Sequence, residues 1–411
     1  MELKLDQWAT TPPVGYPGTV SPPPGKRSAG FTNGEEPPAG YFNYAWDALA
    51  DTQNELANLI TGAGLTRSES NLSQVLAAVT RLVNRRAELA AVTQWTEIGT
   101  LAAAVTAIAC TTTNSNTIAT CAANPSLRYA SSLDTWSSQS AGSAYTGVFA
   151  DICWSEAFNK SYAVGAGGEI QSASSLTFAR CDTGGPNWVK CAAGANAVVV
   201  MDAAGVIKRS TDGVTFTTSN AAFPEPGATM SGLAYSPALN RFCAVGNASL
   251  PTYPMYMGDQ NGANWVPATT PISHTLSPPV RVIWSPEANC FFASSSQAIH
   301  RSSDGMVWSL AAPDAGAVID MVALPEHVMT VCRGTGTDTV PPNYIRMFRL
   351  SELNGVASPN TLQINLRYSP SVAGDAFSQV IRVPAVAGMM FGGRLLGVCS
   401  SGRIRVSGYV G

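Results

Sequence analysis

A period of roughly 40 residues runs from about residue 93 to the end of the chain, and it restricts the fold more than any other feature. Set side by side, DICWSEAFNKSYAVGAGGEIQSASSLTFAR from Asp151, GLAYSPALNRFCAVGNAS from Gly232 and RVIWSPEANCFFASSSQAIHRSSDGMVWSL from Arg281 share one order of parts. An apolar strand ends in an aromatic residue and Ser. A turn with Asn or Pro follows, then a second apolar strand and a turn of small residues. A third strand, a Ser/Asp/Gly turn and a fourth strand marked by Trp or Phe complete the unit. Weaker copies begin at Ala104, Asn187, Ala317 and Gln379. One four-stranded meander cannot bury both its faces, whereas several in a ring hide the faces and leave only short edges. The expected fold is mainly β: a β-propeller of seven four-stranded blades, with six or eight left open by the irregular stretch 333–378.

Composition agrees with a turn-rich β fold. Of 411 residues only 12% are charged and 45% are apolar, with 37 Gly and 27 Pro. A net charge of −3 without a basic run argues against a nucleic-acid partner. No apolar run approaches the roughly 18 residues that would imply membrane insertion. The start, MELKLD, lacks a basic and apolar leader, so synthesis in a cytoplasm is expected. Nine cysteines, an odd number with no CxxC pair, read as reduced thiols packed as small hydrophobes. Neither a disulfide framework, a metal site nor a cofactor is expected from them.

The unit's most regular phrase is RSTDGVTF (209–216), repeated as RSSDGMVW (301–308). In Ser210, Asp212, Gly213 and Phe216, and again in Ser302, Asp304, Gly305 and Trp308, the residue types are those of a tight hairpin. Gly allows positive φ, Asp accepts turn amides, Ser helps close the loop, and the aromatic packs between blades. The phrase resembles a shortened Asp-box, or BNR, repeat of sialidases and other propellers. That resemblance implies a structural turn placed away from the catalytic face. Ring closure is expected at the chain ends. The last unit stops after its third strand, and TQWTEIG (93–99) reads as the missing fourth, with Trp95 in the aromatic place.

No catalytic residues are assigned. The propeller's acids outside the repeated turn form no recognised pair, and His274, His300 and His327 are unclustered, so the chain is read as not an enzyme.

The N-terminal part divides in two. Residues 1–41 form a Pro- and Gly-rich arm expected to be extended, and 42–91 carry two helical stretches; the propeller takes 92–411. Phe42, Trp46, Leu49, Gln53, Leu56 and Ile60 alternate by fours and threes, the seam of an oligomer or of an intramolecular helix packing. Arg86, on the apolar face of the second helix, suggests that this end is not deeply buried. Residues 30–82 resemble the N-terminal region of tailed-bacteriophage tail fibre and tailspike proteins through Gly30-Phe31, Pro38-Ala39, Phe42-Asn43, Gly64, Asn71-Leu72, Gln74 and Leu76. The resemblance implies a virion tail component, assembled in the host cytoplasm. It would be a homo-oligomer, a trimer, docking on other tail proteins through residues 1–91. The propeller would then present a face for a host-surface glycan or protein, with Tyr253, Tyr256 and Trp265 as candidate loop contacts. Two alternatives stand beside it: a glycan-cleaving, sialidase-like propeller and a non-viral scaffold propeller.

Overall fold

Each repeat closes into one antiparallel sheet, because its strands are short, apolar and separated by turn residues. The computed structural model describes residues 56–66, 74–93 and, between 95 and 409, the strands and turns discussed below. It divides into two compact units, Met1–Val83 and Asn84–Gly411.

In the second unit the described strands form seven four-stranded sheets. We label the blades A (105–139), B (149–182), C (188–218), D (229–267), E (279–313), F (318–365) and G (377–409). In blades A to F the strands are consecutive in sequence. Blade G takes three strands from the C-terminus and its outermost from Trp95–Thr100, where Trp95 lies opposite Ser407 and Thr100 opposite Arg403. The first strand of each blade touches the first strand of the next, and that of G touches that of A. These inner strands are Val105–Cys110, Phe149–Ser155, Trp188–Ala193, Thr229–Ser236, Pro279–Ser285, Val318–Ala323 and Phe377–Arg382.

The core lies between blades. At the B/C interface Tyr162, Val164 and Ile170 pack on Trp188, Val198 and Val200; at D/E, Met257 and Tyr253 pack on Phe291 and Trp308; at G/A, Leu396 and Ile404 pack on Val105 and Ile108. A second strand is covered on both faces, which is why Val198–Asp202 reads VVVMD and is buried throughout. Each fully buried Val, Leu or Phe contributes about 1.5–3 kcal/mol. The first hairpin of blades B, D and E turns on Asn159, Asn240 and Asn289, each at φ near 50°, a left-handed conformation that Asn tolerates better than most residues.

In the first unit, helix α1 (56–62) ends where Gly64 takes φ 73°. Leu65 N–H bonds Ile60 O and Gly64 N–H bonds Thr61 O, the paired bonds of a glycine-terminated helix. Helix α2 (Gln74–Thr93) supplies Ala78 against Ile60 and Ala63. Of the six seam residues, Ile60 is therefore buried within its own chain, while Leu56 is 39% exposed. Phe42, Trp46, Leu49 and Gln53, with the arm 1–41, lie outside the described residues.

The expectation from Arg86 is corrected. Arg86 is exposed, but its neighbours turn inward: Glu88 is fully buried, and Arg85, Ala91 and Val92 are nearly so. Glu88 Oε2 pairs with His327 Nδ1 at 2.7 Å, Glu88 Oε1 accepts Glu326 N–H at 3.0 Å, and Arg85 Nε lies 3.4 Å from Glu326 Oε2. Burial pushes the Glu88 carboxyl above its ordinary value, against the pull of His327. This end of α2 packs on the F/G core beside Phe377 and Leu395.

Candidate functional site

A small irregularity repeated in every inner strand builds the site. In each, the ladder to the second strand skips one residue near the strand's start. Such a bulge bends the strand and re-aims the side chain that follows it. The residues that resume the ladder are, in ring order, Ala107, Asp151, Lys190, Gly232, Arg281, Asp320 and Gln379.

Most of this ring is spent on joining blades. Asp151 Oδ2 accepts Cys191 N–H at 3.1 Å, Asp320 Oδ2 accepts Val380 N–H at 2.7 Å, and Gln379 Oε1 accepts Ile108 N–H at 2.7 Å. In each case a side chain satisfies an inner-edge amide of the following blade. In blades A and D the skipped residue bears a hydroxyl and makes the joint instead. Thr106 Oγ1 donates to Phe149 O at 2.8 Å and Ser231 Oγ to Pro279 O at 2.7 Å. Arg281 Nε pairs with Asp320 Oδ1 at 2.8 Å. At Gly232 there is no room for a side chain: a Cβ would stand 2.8 Å from Val245 Cγ2 and 3.0 Å from Val282 N. The gap at Gly232 separates the two cations that flank it, Lys190 and Arg281.

Lys190 is the member whose charge is held most loosely. Its Nζ turns back to Asp151 Oδ2 at 3.9 Å, a carboxylate oxygen already engaged by Cys191 N–H, while its side chain is only 19% exposed. Burial pulls the ammonium below the ordinary lysine value, opposed by Asp151.

The ring residues Asp151, Lys190, Arg281, Asp320 and Gln379 line a cavity of about 410 Å³, within the roughly 300–1,000 Å³ of ligand pockets. Trp284 and Pro286 continue its wall toward a rim where Arg382 Nη1 meets Glu287 Oε1 at 3.1 Å. This pair joins blade E to blade G, and both side chains are 30% exposed.

The repeated turns behave as structural devices. Asp212 Oδ1 accepts N–H bonds from Val214 and Thr215, and Asp304 Oδ1 from Met306 and Val307, all at 2.8–2.9 Å. Ser210 and Ser302 donate to these carboxylates at 2.9 Å. The amide bonds, Thr215 N–H first, hold Asp212 well below the usual carboxylate range. Phe216 and Trp308 fill the interfaces with blades B and D. Third strands run parallel to first strands, so these turns lie at the end of each blade that carries the first hairpin, whereas the ring residues stand near the start of the inner strands. Lys160, just past the first hairpin of B, donates to Gly213 O at 3.1 Å.

The loop aromatics also change place. Tyr253 and Tyr256 are each 3% exposed, in the D/E and C/D cores, so they offer a ligand no surface. Trp265 belongs to a third turn of the repeated kind, Asp259 to Trp265. There Asp259 accepts N–H bonds from Asn261 and Ala263, and Trp265 Nε1–H donates to Gly262 O at 3.0 Å. Trp308 makes the same bond to Gly305 O and Trp95 to Val92 O, both at 2.9 Å and both to the residue three places earlier.

No family description and no curated protein matches the chain. Solved structures similar to it include "YCF48 bound to D1 peptide", at 12% identity over 76% of this chain and 96% of that one, with a TM-score of 0.52. Another is "YCF48 from Cyanidioschyzon merolae", at 10% identity over 77% and 98%, with a TM-score of 0.53. At such identity the likeness concerns the fold, a β-propeller with four-stranded blades. The expectation of a bacteriophage tail adhesin is corrected by this finding. The structural likeness runs to YCF48 propellers, and the tail-protein, trimer and glycan partners are set aside with the tail reading.

Proposed function

We propose that the chain is a non-viral, non-catalytic scaffold propeller that holds a polar or acidic segment of a partner polypeptide in its channel. The observation that carries the reading is Lys190, a largely buried ammonium facing a 410 Å³ cavity with its nearest carboxylate oxygen 3.9 Å away. A carboxylate entering the cavity would give this cation a closer partner. Charge-assisted hydrogen bonds of this kind contribute about 1.5–3 kcal/mol. The cavity admits a side chain or a chain end and not a folded domain. The YCF48 structure with a bound peptide supports the choice of a polypeptide by analogy of fold alone.

The use made of the acids supports the non-catalytic reading. Asp151 and Asp320 each accept a backbone N–H from the neighbouring blade and face a cation. Their oxygens are thus taken up in joining neighbouring blades.

The test is selection of binders to the full chain from a ribosome-displayed random peptide library, followed by titration against wild type and Lys190→Met. The expected result is enrichment of acidic peptides whose affinity falls about tenfold or more in Lys190→Met, the equivalent of at least ~1.4 kcal/mol. Selected peptides that bind both proteins equally would overturn the proposal.

A further inference from the structure

The B/C interface holds three thiols, Cys153, Cys181 and Cys191, the last on a residue that also lines the channel. Cys153 lies on the inner strand of blade B, opposite Tyr162 on the second strand. Register partners in an antiparallel pair point to the same face, and the Tyr162 ring points to blade C, where its hydroxyl donates to Gly213 O at 2.9 Å. Cys153 therefore faces blade C as well. From that blade Cys191 reaches back to the same pair: its thiol donates to Tyr162 O at 3.6 Å and interacts with the Cys153 thiol. Cys181 is engaged elsewhere, donating to Ser172 Oγ at 3.1 Å within blade B. All three thiols are reduced; Cys191 is buried and Cys153 partly exposed.

We propose that Cys153 and Cys191 form a redox-linked pair that closes into a disulfide between blades B and C on exposure to a low-molecular-weight disulfide. The Cys153 thiolate attacks one sulfur of the reagent, forming a mixed disulfide and releasing one reagent thiolate, which takes up a proton. The Cys191 thiolate then attacks the Cys153 sulfur, forming the protein disulfide and releasing the second reagent thiolate. Two protein thiols are oxidised and one reagent disulfide is reduced to two thiols. Burial pushes the Cys191 thiol well above its ordinary value, so the partly exposed Cys153 is the point of entry and Cys191 the resolving group. The cross-link would pin the joint at which Asp151 holds Cys191 N–H. It stands independently of the channel's ligand.

The native full chain is incubated with oxidised glutathione at mildly alkaline pH, alkylated and digested without reduction, and mapped by mass spectrometry. In wild type the peptides bearing Cys153 and Cys191 are expected to appear joined, with little glutathione adduct. Cys191→Ser is expected to accumulate glutathione on Cys153, and Cys153→Ser to slow loss of the Cys191 thiol by roughly tenfold or more. A stable glutathione adduct on Cys153 in wild type without the cross-link would overturn the proposal. So would a Cys153–Cys181 link, or Cys191 reacting as fast in Cys153→Ser as in wild type. Absence of reaction in the native chain, when the unfolded chain reacts, would overturn it too.

Discussion

Gly305 and Gly167 share a left-handed φ, 75° and 69°, in very different surroundings. A Cβ on Gly305 would stand 2.1 Å from Met257 Sδ, whereas one on Gly167 would meet nothing within 4 Å. Gly167→Ala should cost only the backbone term, about 1–2 kcal/mol. Gly305→Ala must also displace the buried Met257 side chain of blade D and should cost more, which urea unfolding of the two variants would show. His300 offers a second test at this scale. It is 4% exposed, its Nε2 has no partner, and burial lowers its pKa from 6.5 to about 4. A histidine kept neutral in the fold stabilises it above pH 6.5, and that stability is lost as pH falls from 6.5 toward 4, while the unfolded chain takes up the proton. A shift of this size corresponds to about 3 kcal/mol. His300→Leu should flatten the stability profile over that window, and an unchanged profile would count against the burial argument. The repeated turns were legible at the residue scale because Ser, Asp, Gly and the aromatic meet within eight positions. Tyr253 and Tyr256 were misread as surface because their burial depends on blades distant in sequence.

At the scale of elements, the strand Trp95–Thr100 and the end of α2 act together on blade G. Trp95 packs on Phe377 with ring centroids 4.9 Å apart, and its indole bond to Val92 O has the geometry of the Trp308 bond to Gly305 O. Trp95→Ala and Trp308→Ala should therefore destabilise by similar amounts, about 3–5 kcal/mol each. A Trp95→Ala variant that melts like wild type would contradict the shared role. Glu88→Ala strands the buried His327 and the Glu326 amide, and a cost of about 3–5 kcal/mol is expected in the same measurement. Glu88→Gln, which keeps an acceptor, should cost less. The strand period was readable because alternation of apolar residues is local. The buried end of α2 was not, since Arg85, Arg86 and Glu88 look alike as charged residues. Which of them turns inward is decided by about 100° of helix rotation per residue and by a partner at 326–327.

For the whole molecule, the ring sewn by inter-blade side chains both closes the propeller and creates its channel. The column that forms the channel was present in the sequence. Asp151, Gly232, Arg281 and Gln379 each open an aligned inner-strand segment, and Lys190 and Asp320 hold the same place in theirs. What no single repeat reveals is that these first residues face one another, because that juxtaposition exists only once the ring is closed. The bulge that aims them is likewise set by pairing with the second strand and not by a local motif. The central claim is that this channel binds a polypeptide through Lys190, and a double-mutant cycle tests it most directly. A selected acidic peptide and its amide-substituted form are titrated calorimetrically against wild type and Lys190→Met. The account predicts a coupling energy of about 1.5 kcal/mol or more between Lys190 and the peptide carboxylate. Strictly additive losses would contradict it.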